Sequence, residues 1–238
     1  MKNQSTKWKQ HGFLFSLVKR VVKLFKKKPT IYSEVSHYES KAIFISNHSA
    51  ASGPMVLSLY FPSPFVPWGA HPMTEGYKKR WQYLYYIFYQ QKLGYKKFRS
   101  FIIATLFALI SKMLYKGMRL IPTYSNLQLS KTFKLSKQCI DSDCPILVFP
   151  EDSEKGYFEV LTKYNQGFIR FAQYYYKKTN IDLPIYTIYF SKQLNAMIIE
   201  KPAFIQPLLK TMTSIEISDF FKDKTNALGK RLNELVKA

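Results

Sequence analysis

The chain is predicted to be an α/β protein with a mixed, largely parallel central sheet flanked by helices, and with an N-terminal amphipathic helix on a membrane surface. Three observations carry this. Apolar runs of strand length at 42–45, 146–149 and 184–190 alternate with longer helix-forming stretches, the order that builds β-α-β units. The first two runs each lead directly into a polar turn, as strands do where open α/β sheets hold their chemistry. The third observation is at the N-terminus, where Lys19, Arg20, Lys23 and Lys26 are interleaved with Phe13, Leu14, Leu17, Val21 and Leu24 at three- and four-residue steps.

Residues 1–28 contain nine Lys and Arg and no acid. On a helix the apolar positions gather on one face, with the bases largely opposite, so the helix lies in an interface rather than crossing it. Spanning needs roughly 20 apolar residues, and Lys19 and Arg20 interrupt the run. The short apolar core, with no small-residue cleavage pattern after it, also argues against a signal peptide. Pro29 ends the segment, which divides the chain into a basic membrane-binding helix (1–29) and an α/β domain (30–238).

Residues 30–40 read as a polar connector, with the domain proper beginning near Tyr38. After the strand at 42–45 comes a loop, Ser46-Asn47-His48-Ser49-Ala50-Ala51-Ser52-Gly53. A helix at 54–60 follows, with Pro54 in its first turn and its amino end towards His48. The proline-rich residues 61–67 are extended, with Phe65 and Val66 as a short strand. Residues 77–95 mix aromatics with bases and precede an apolar run at 101–110. These form either buried helices over the sheet or a surface set into a membrane interface. A strand at 117–122, a helix at 126–140 and the strand at 146–149 come next. A long loop then runs to about Gln166, followed by a helix at 167–178 and the strand at 184–190, a β-α-β unit with parallel neighbours. A strand at 195–201 and a helix at 218–236 close the chain.

At 238 residues and 47% apolar content the chain can bury a sizeable core, which excludes a disordered protein. Its 36 Lys and Arg against 15 Asp and Glu give a net charge of +21, which calls for an anionic partner: a bilayer, a nucleic acid or an acidic carrier. No nucleic-acid motif is present, so no nucleic-acid partner is expected. Cys139 and Cys144 lack zinc spacing and read as reduced thiols of a cytosolic protein, with neither disulfide nor metal. His71 and Glu75 match no metal spacing and read as surface-loop residues. Ser49 and Ser52 flank His48 outside any Gly-x-Ser-x-Gly elbow and read as loop residues, not nucleophiles.

Four stretches in order resemble the glycerolipid acyltransferase family typified by 1-acylglycerol-3-phosphate O-acyltransferases. Asn47 and His48 match the family's Asn-His motif, and Phe149, Pro150 and Glu151 match its Phe-Pro-Glu motif, with Ser153 at the Thr position. Residues 117–122 echo the second motif, and Leu183-Pro184-Ile185 the last. The resemblance implies O-acyl transfer to a lipid acceptor from acyl-CoA or acyl carrier protein, without a cofactor, by a peripheral protein on the cytoplasmic side of the membrane. His48 is then the general base. Asn47, Gly53, Glu151 and Ser153 belong to the substrate site, and Arg119, Lys155 or Lys163 supply point charges in place of the motif arginines.

The family's Asp, five residues after the His, is Gly53 here; Asp152 replaces a Gly, Glu154 an Arg, and Thr123 stands where Arg is common. Three readings follow. Asp152 takes over as the acid that orients His48, or the enzyme is slow or has its His48 oriented by a backbone carbonyl, or the chain is a lipid-binding protein without turnover.

Overall fold

The computed structural model describes Trp8, residues 12–124 and residues 128–237. Seven strands form one sheet: β1 (Thr30–Ser33), β2 (Ile43–Ser46), β3 (Val66–Ala70), β4 (Ile121–Thr123), β5 (Ile146–Val148), β6 (Ile185–Ser191) and β7 (Ala196–Ile199). Their order across the sheet is β1-β7-β6-β2-β5-β3-β4. The block from β6 to β4 is parallel, β7 turns back antiparallel to β6, and β1 lies parallel to β7. This is the α/β architecture with a mixed, mostly parallel sheet that the alternating runs predict.

The helices are α1 (Phe13–Phe25), α2 (Ser52–Tyr60), α3 (Tyr77–Gln82), α4 (Lys97–Gly117), α5 (Leu129–Asp141), α6 (Gly167–Thr179), the short α7 (Ile205–Leu208) and α8 (Ser214–Lys237). Between α3 and α4 the chain continues as a π-helix, Tyr83–Lys92.

Strand periodicity explains the layering, because alternate side chains face opposite sides. Ile43, Ile45, Ile146, Val148 and Ile185 pack on one face with Phe168, Phe171, Tyr175 and Phe221. Phe44, Leu147, Tyr186, Ile188 and Phe190 pack on the other with Val56, Leu57 and Phe65. Both faces of the central strands are thus buried, which is why they read as unbroken apolar runs.

Four expectations need correction. Residues 30–40 are not all connector: Thr30–Ser33 is an edge strand, completed by pairing with β7, a distant partner that a polar tetrapeptide does not announce. The strand expected at 117–122 begins at Ile121, because α4 runs on to Gly117. The β5-α6-β6 unit is parallel, but β5 and β6 are not neighbours; β2 lies between them and pairs with both. The closing helix starts at Ser214, where Thr213 and Glu216 bond each other's backbone N–H in a capping box. The expected start of the helix at 126–140 falls partly outside the described residues, and α5 begins at Leu129.

Helix α1 docks through Phe15, which packs on the Cα face of Gly117 at the end of α4, and through Gly12 N–H, which donates to Gly117 O at 3.0 Å. A Cβ on Gly117 would sit 2.4 Å from Phe15 Cβ, so this crossing requires glycine. Phe13, Leu17, Val21, Leu24 and Phe25 are left exposed on α1.

Candidate functional site at the carboxyl ends of β2 and β5

Strands β2 and β5 are paired neighbours, with Ile45 opposite Val148. Their carboxyl ends therefore deliver the Asn47-His48 and Phe149-Pro150-Glu151 turns to one place, although about a hundred residues separate them in sequence. Glu151 is buried, and its carboxylate accepts the backbone N–H of His48, at 3.0 Å to Oε2, and the backbone N–H of Phe158. Burial pushes the Glu151 carboxyl up, and these bonds together with the charge of Lys92 oppose the rise. By these contacts the carboxylate ties the two motif loops together.

Asn47 is a clamp. Its Nδ2 donates to Phe190 O at 2.9 Å and its Oδ1 accepts Phe190 N–H at 2.8 Å, continuing the β2–β6 ladder by side chain where β2 ends. Asn47→Ala leaves both buried backbone groups of Phe190 unpaired, an expected loss of roughly 2–4 kcal/mol in urea unfolding. Asn47→Asp, which keeps only the acceptor, is expected to lose less, and equal losses would show that the bond from Phe190 N–H to the Asn47 acceptor contributes nothing.

Beyond Asn47 the chain turns sharply. Ser49 and Ala50 have φ of 44° and 53°, a left-handed pair that costs side-chain-bearing residues free energy. The turn aims the Ala50 carbonyl at His48 Nδ1, with which it makes a short hydrogen bond. A carbonyl only accepts, so Nδ1 carries the proton and the neutral ring presents an unprotonated Nε2. Burial holds the imidazole well below its ordinary value, to about 4, with the Ala50 bond opposing the shift and the Lys92 charge adding to it. Tyr157 stacks on the ring at 4.4 Å between centroids, and Phe149 packs against it at 4.9 Å.

Gly53 sits directly over His48: a Cβ there would fall 2.3 Å from the His48 carbonyl oxygen. The position where the resembled family carries its Asp has no room for any side chain, because α2 begins too close to the loop. Asp152 is engaged elsewhere. Its Oδ2 pairs with Lys163 Nζ at 3.0 Å and its Oδ1 accepts the Glu154 N–H at 3.2 Å. Burial acts to raise this carboxyl, and the two contacts outweigh it and hold the group below its ordinary range. The group on His48 Nδ1 is the Ala50 carbonyl.

Ser153 is buried and accepts Lys92 Nζ at 2.7 Å, while Lys155 is exposed on the same loop. Arg119 is not brought to this place. It precedes β4, at the amino ends of the parallel strands, opposite the carboxyl ends that hold His48, and lines a separate cavity of about 320 Å³ with Lys112 and Lys116. Thr123 bonds Gly69 O at 2.9 Å. His71 follows β3 and stacks on Tyr124. Glu75 pairs with Lys79 at 3.6 Å. Cys139 and Cys144 are buried and not joined in a disulfide, and no group of three potential metal ligands gathers among the described residues.

Sequence reasoning missed Lys92 and Tyr157. Lys92 ends the π-helix, a wide turn type that recurs at functional sites, and reaches Ser153 while lying about 6.0 Å from the Tyr157 ring. Burial lowers its ammonium, and Asp152, Glu151 and Glu154 oppose this. Gln91 Nε2 donates to Glu154 O at 3.1 Å, so the end of the π-helix grips the loop that carries Tyr157. No sequence motif marks either residue.

Compared with known proteins, the chain matches no family model and no curated sequence.

Proposed function

We propose that this protein is a membrane-associated acyltransferase that moves a fatty acyl group from an acyl thioester, acyl-CoA or acyl carrier protein, to a hydroxyl of a lipid acceptor. The observation that carries this reading is the His48 imidazole: neutral, with Nδ1 held by the Ala50 carbonyl and Nε2 unprotonated, beside a Phe-Pro-Glu turn at the carboxyl ends of parallel strands. Nε2 takes the proton of the acceptor hydroxyl as its oxygen attacks the thioester carbon. The tetrahedral intermediate then collapses, breaking the C–S bond, and the leaving thiolate takes the proton from Nε2–H. No acyl-enzyme is formed. The Ala50 carbonyl fixes the tautomer, the task a carboxylate performs in a Ser-His-Asp triad, and supplies less charge to an imidazolium than a carboxylate would. The basic helix α1 rests on the anionic surface from which the acceptor comes.

The second reading, a lipid-binding protein without turnover, is favoured by the neutral acceptor on Nδ1 and by Tyr157 covering one face of the ring. Thiol release from acyl-CoA and acyl carrier protein with mixed lipid acceptors separates the two. Release that requires an acceptor supports acyl transfer, and no release from either donor, in protein that binds anionic vesicles, supports the second reading.

A further inference from the structure

Helix α4 is built inside out for a soluble protein. Its fully buried positions are small, Ser100, Ala104, Ala108 and Ser111, and with Ile103 and Phe107 beside them they pack on α3 and the π-helix. Its outer face carries Phe98, Ile102, Leu106, Leu109 and Met113 at four- and three-residue steps, with Phe98, Leu106 and Leu109 at 78%, 62% and 66% exposure. Only 22% of its most apolar window is buried. A helix covering a sheet in water places large apolar residues inward and polar ones outward, whereas α4 turns most of its large apolar residues outward.

The inner face is anchored by polar bonds. Buried Arg80 donates from Nη2 to Ala108 O at 3.0 Å and from Nε to Ser111 Oγ at 3.3 Å, and Trp81 Nε1 donates to Thr105 Oγ1 at 2.9 Å. Although α4 is about 31 Å long, crossing a bilayer would carry its packed companions α3 and the π-helix, with Lys78, Lys79 and Arg80, into the hydrocarbon. It can lie flat in one. The charge around it fits an anionic surface: no Asp or Glu occurs from Gly76 to Ile140, while Lys96, Lys97 and Arg99 at its start and Lys112 and Lys116 towards its end are all exposed.

We propose that the outer face of α4 is embedded in the interfacial layer of an anionic phospholipid bilayer, with the terminal bases at headgroup level, as a second lipid contact beside α1. This places the lipid surface one helix away from the site. Helix α4 carries the π-helix on its inner side, and Gln91 and Lys92 at the end of that π-helix hold the loop over His48. The inference shares the membrane location of the reading above and does not depend on acyl transfer, so a protein without thioester turnover leaves it intact.

The test is cosedimentation of the full chain with phosphatidylglycerol/phosphatidylcholine vesicles and with phosphatidylcholine alone. Wild type is compared with the double variant Leu106→Glu, Leu109→Glu, and near-ultraviolet circular dichroism checks the fold. In parallel, an environment-sensitive fluorophore is placed at Leu106→Cys and, as control, at exposed Lys178→Cys on α6. The expected result is a loss of vesicle partitioning of about tenfold or more in the double variant. The label at 106, and not that at 178, should shift to the blue and be quenched by lipid-borne nitroxides. Unchanged partitioning with the label at 106 still in water would assign membrane contact to α1 alone and overturn the proposal. A label at 106 already blue-shifted without vesicles, in a dimer that the double variant dissociates, would assign the face to a second copy and overturn it equally.

Discussion

The His48→Ala protein is expected to keep its fold and lose acceptor-dependent thiol release by about 10²–10⁴-fold, the contribution of a positioned general base. The fold should survive because the bond that ties this loop to Glu151 comes from the His48 backbone N–H and not from the ring. Turnover within a few-fold of wild type would remove the imidazole from the mechanism. The pH profile of the wild type adds an independent reading. Burial holds the imidazole at about 4, so Nε2 stays unprotonated far below the ordinary histidine range near 6.5, and the acid limb of the rate should lie near the lower value. A rate that falls by half near pH 6.5 would point to an exposed histidine or another base. The sign for stability follows from the same shift. The folded value lies below the unfolded one, so the contribution of this group is complete above about 6.5 and is lost progressively as pH falls towards 4.

Placing the acid of the resembled family at this position, by Gly53→Asp, is expected to damage the protein rather than improve it. The Cβ would lie 2.3 Å from the His48 carbonyl oxygen, a backbone atom that cannot swing aside, so either α2 or the His48 turn must move. The expected cost is about 3 kcal/mol, the upper range for overpacking. For a chain of this size that lowers the melting temperature by roughly 6–12 °C. Activity should fall too, because the shift carries the Ala50 carbonyl away from Nδ1. Gly53→Ala separates sterics from charge: a comparable loss identifies the close approach as the cause. A Gly53→Asp protein with unchanged melting and faster turnover would show that the turn can open to admit a carboxylate, and would sink the assignment of the orienting role to Ala50.

The α/β class is legible in the sequence, because strands buried on both faces must be apolar throughout and those runs are visible without a structure. So is the placement of His48 and Glu151 after strand ends, since a polar turn after a buried run has few other places to go. That β2 and β5 are neighbours is not legible, nor that residues 30–33 complete the edge of the sheet beside β7, because strand order depends on pairings between distant segments. Three features of the site emerge only on folding, for one reason: each is a through-space relation between groups that carry no shared pattern. Gly53 is glycine because α2 starts against the His48 carbonyl. Asp152 is occupied by Lys163 while a backbone carbonyl takes Nδ1. Lys92 reaches Ser153 because a π-helix, whose wider turn a pattern of aromatics does not encode, ends beside it. The outward turn of α4 belongs with these. Its periodicity gathers Ser100, Ala104, Ala108 and Ser111 on one face and most of its large residues on another, and only the packing of the first on Arg80, Trp81 and the π-helix determines which of the two is left exposed.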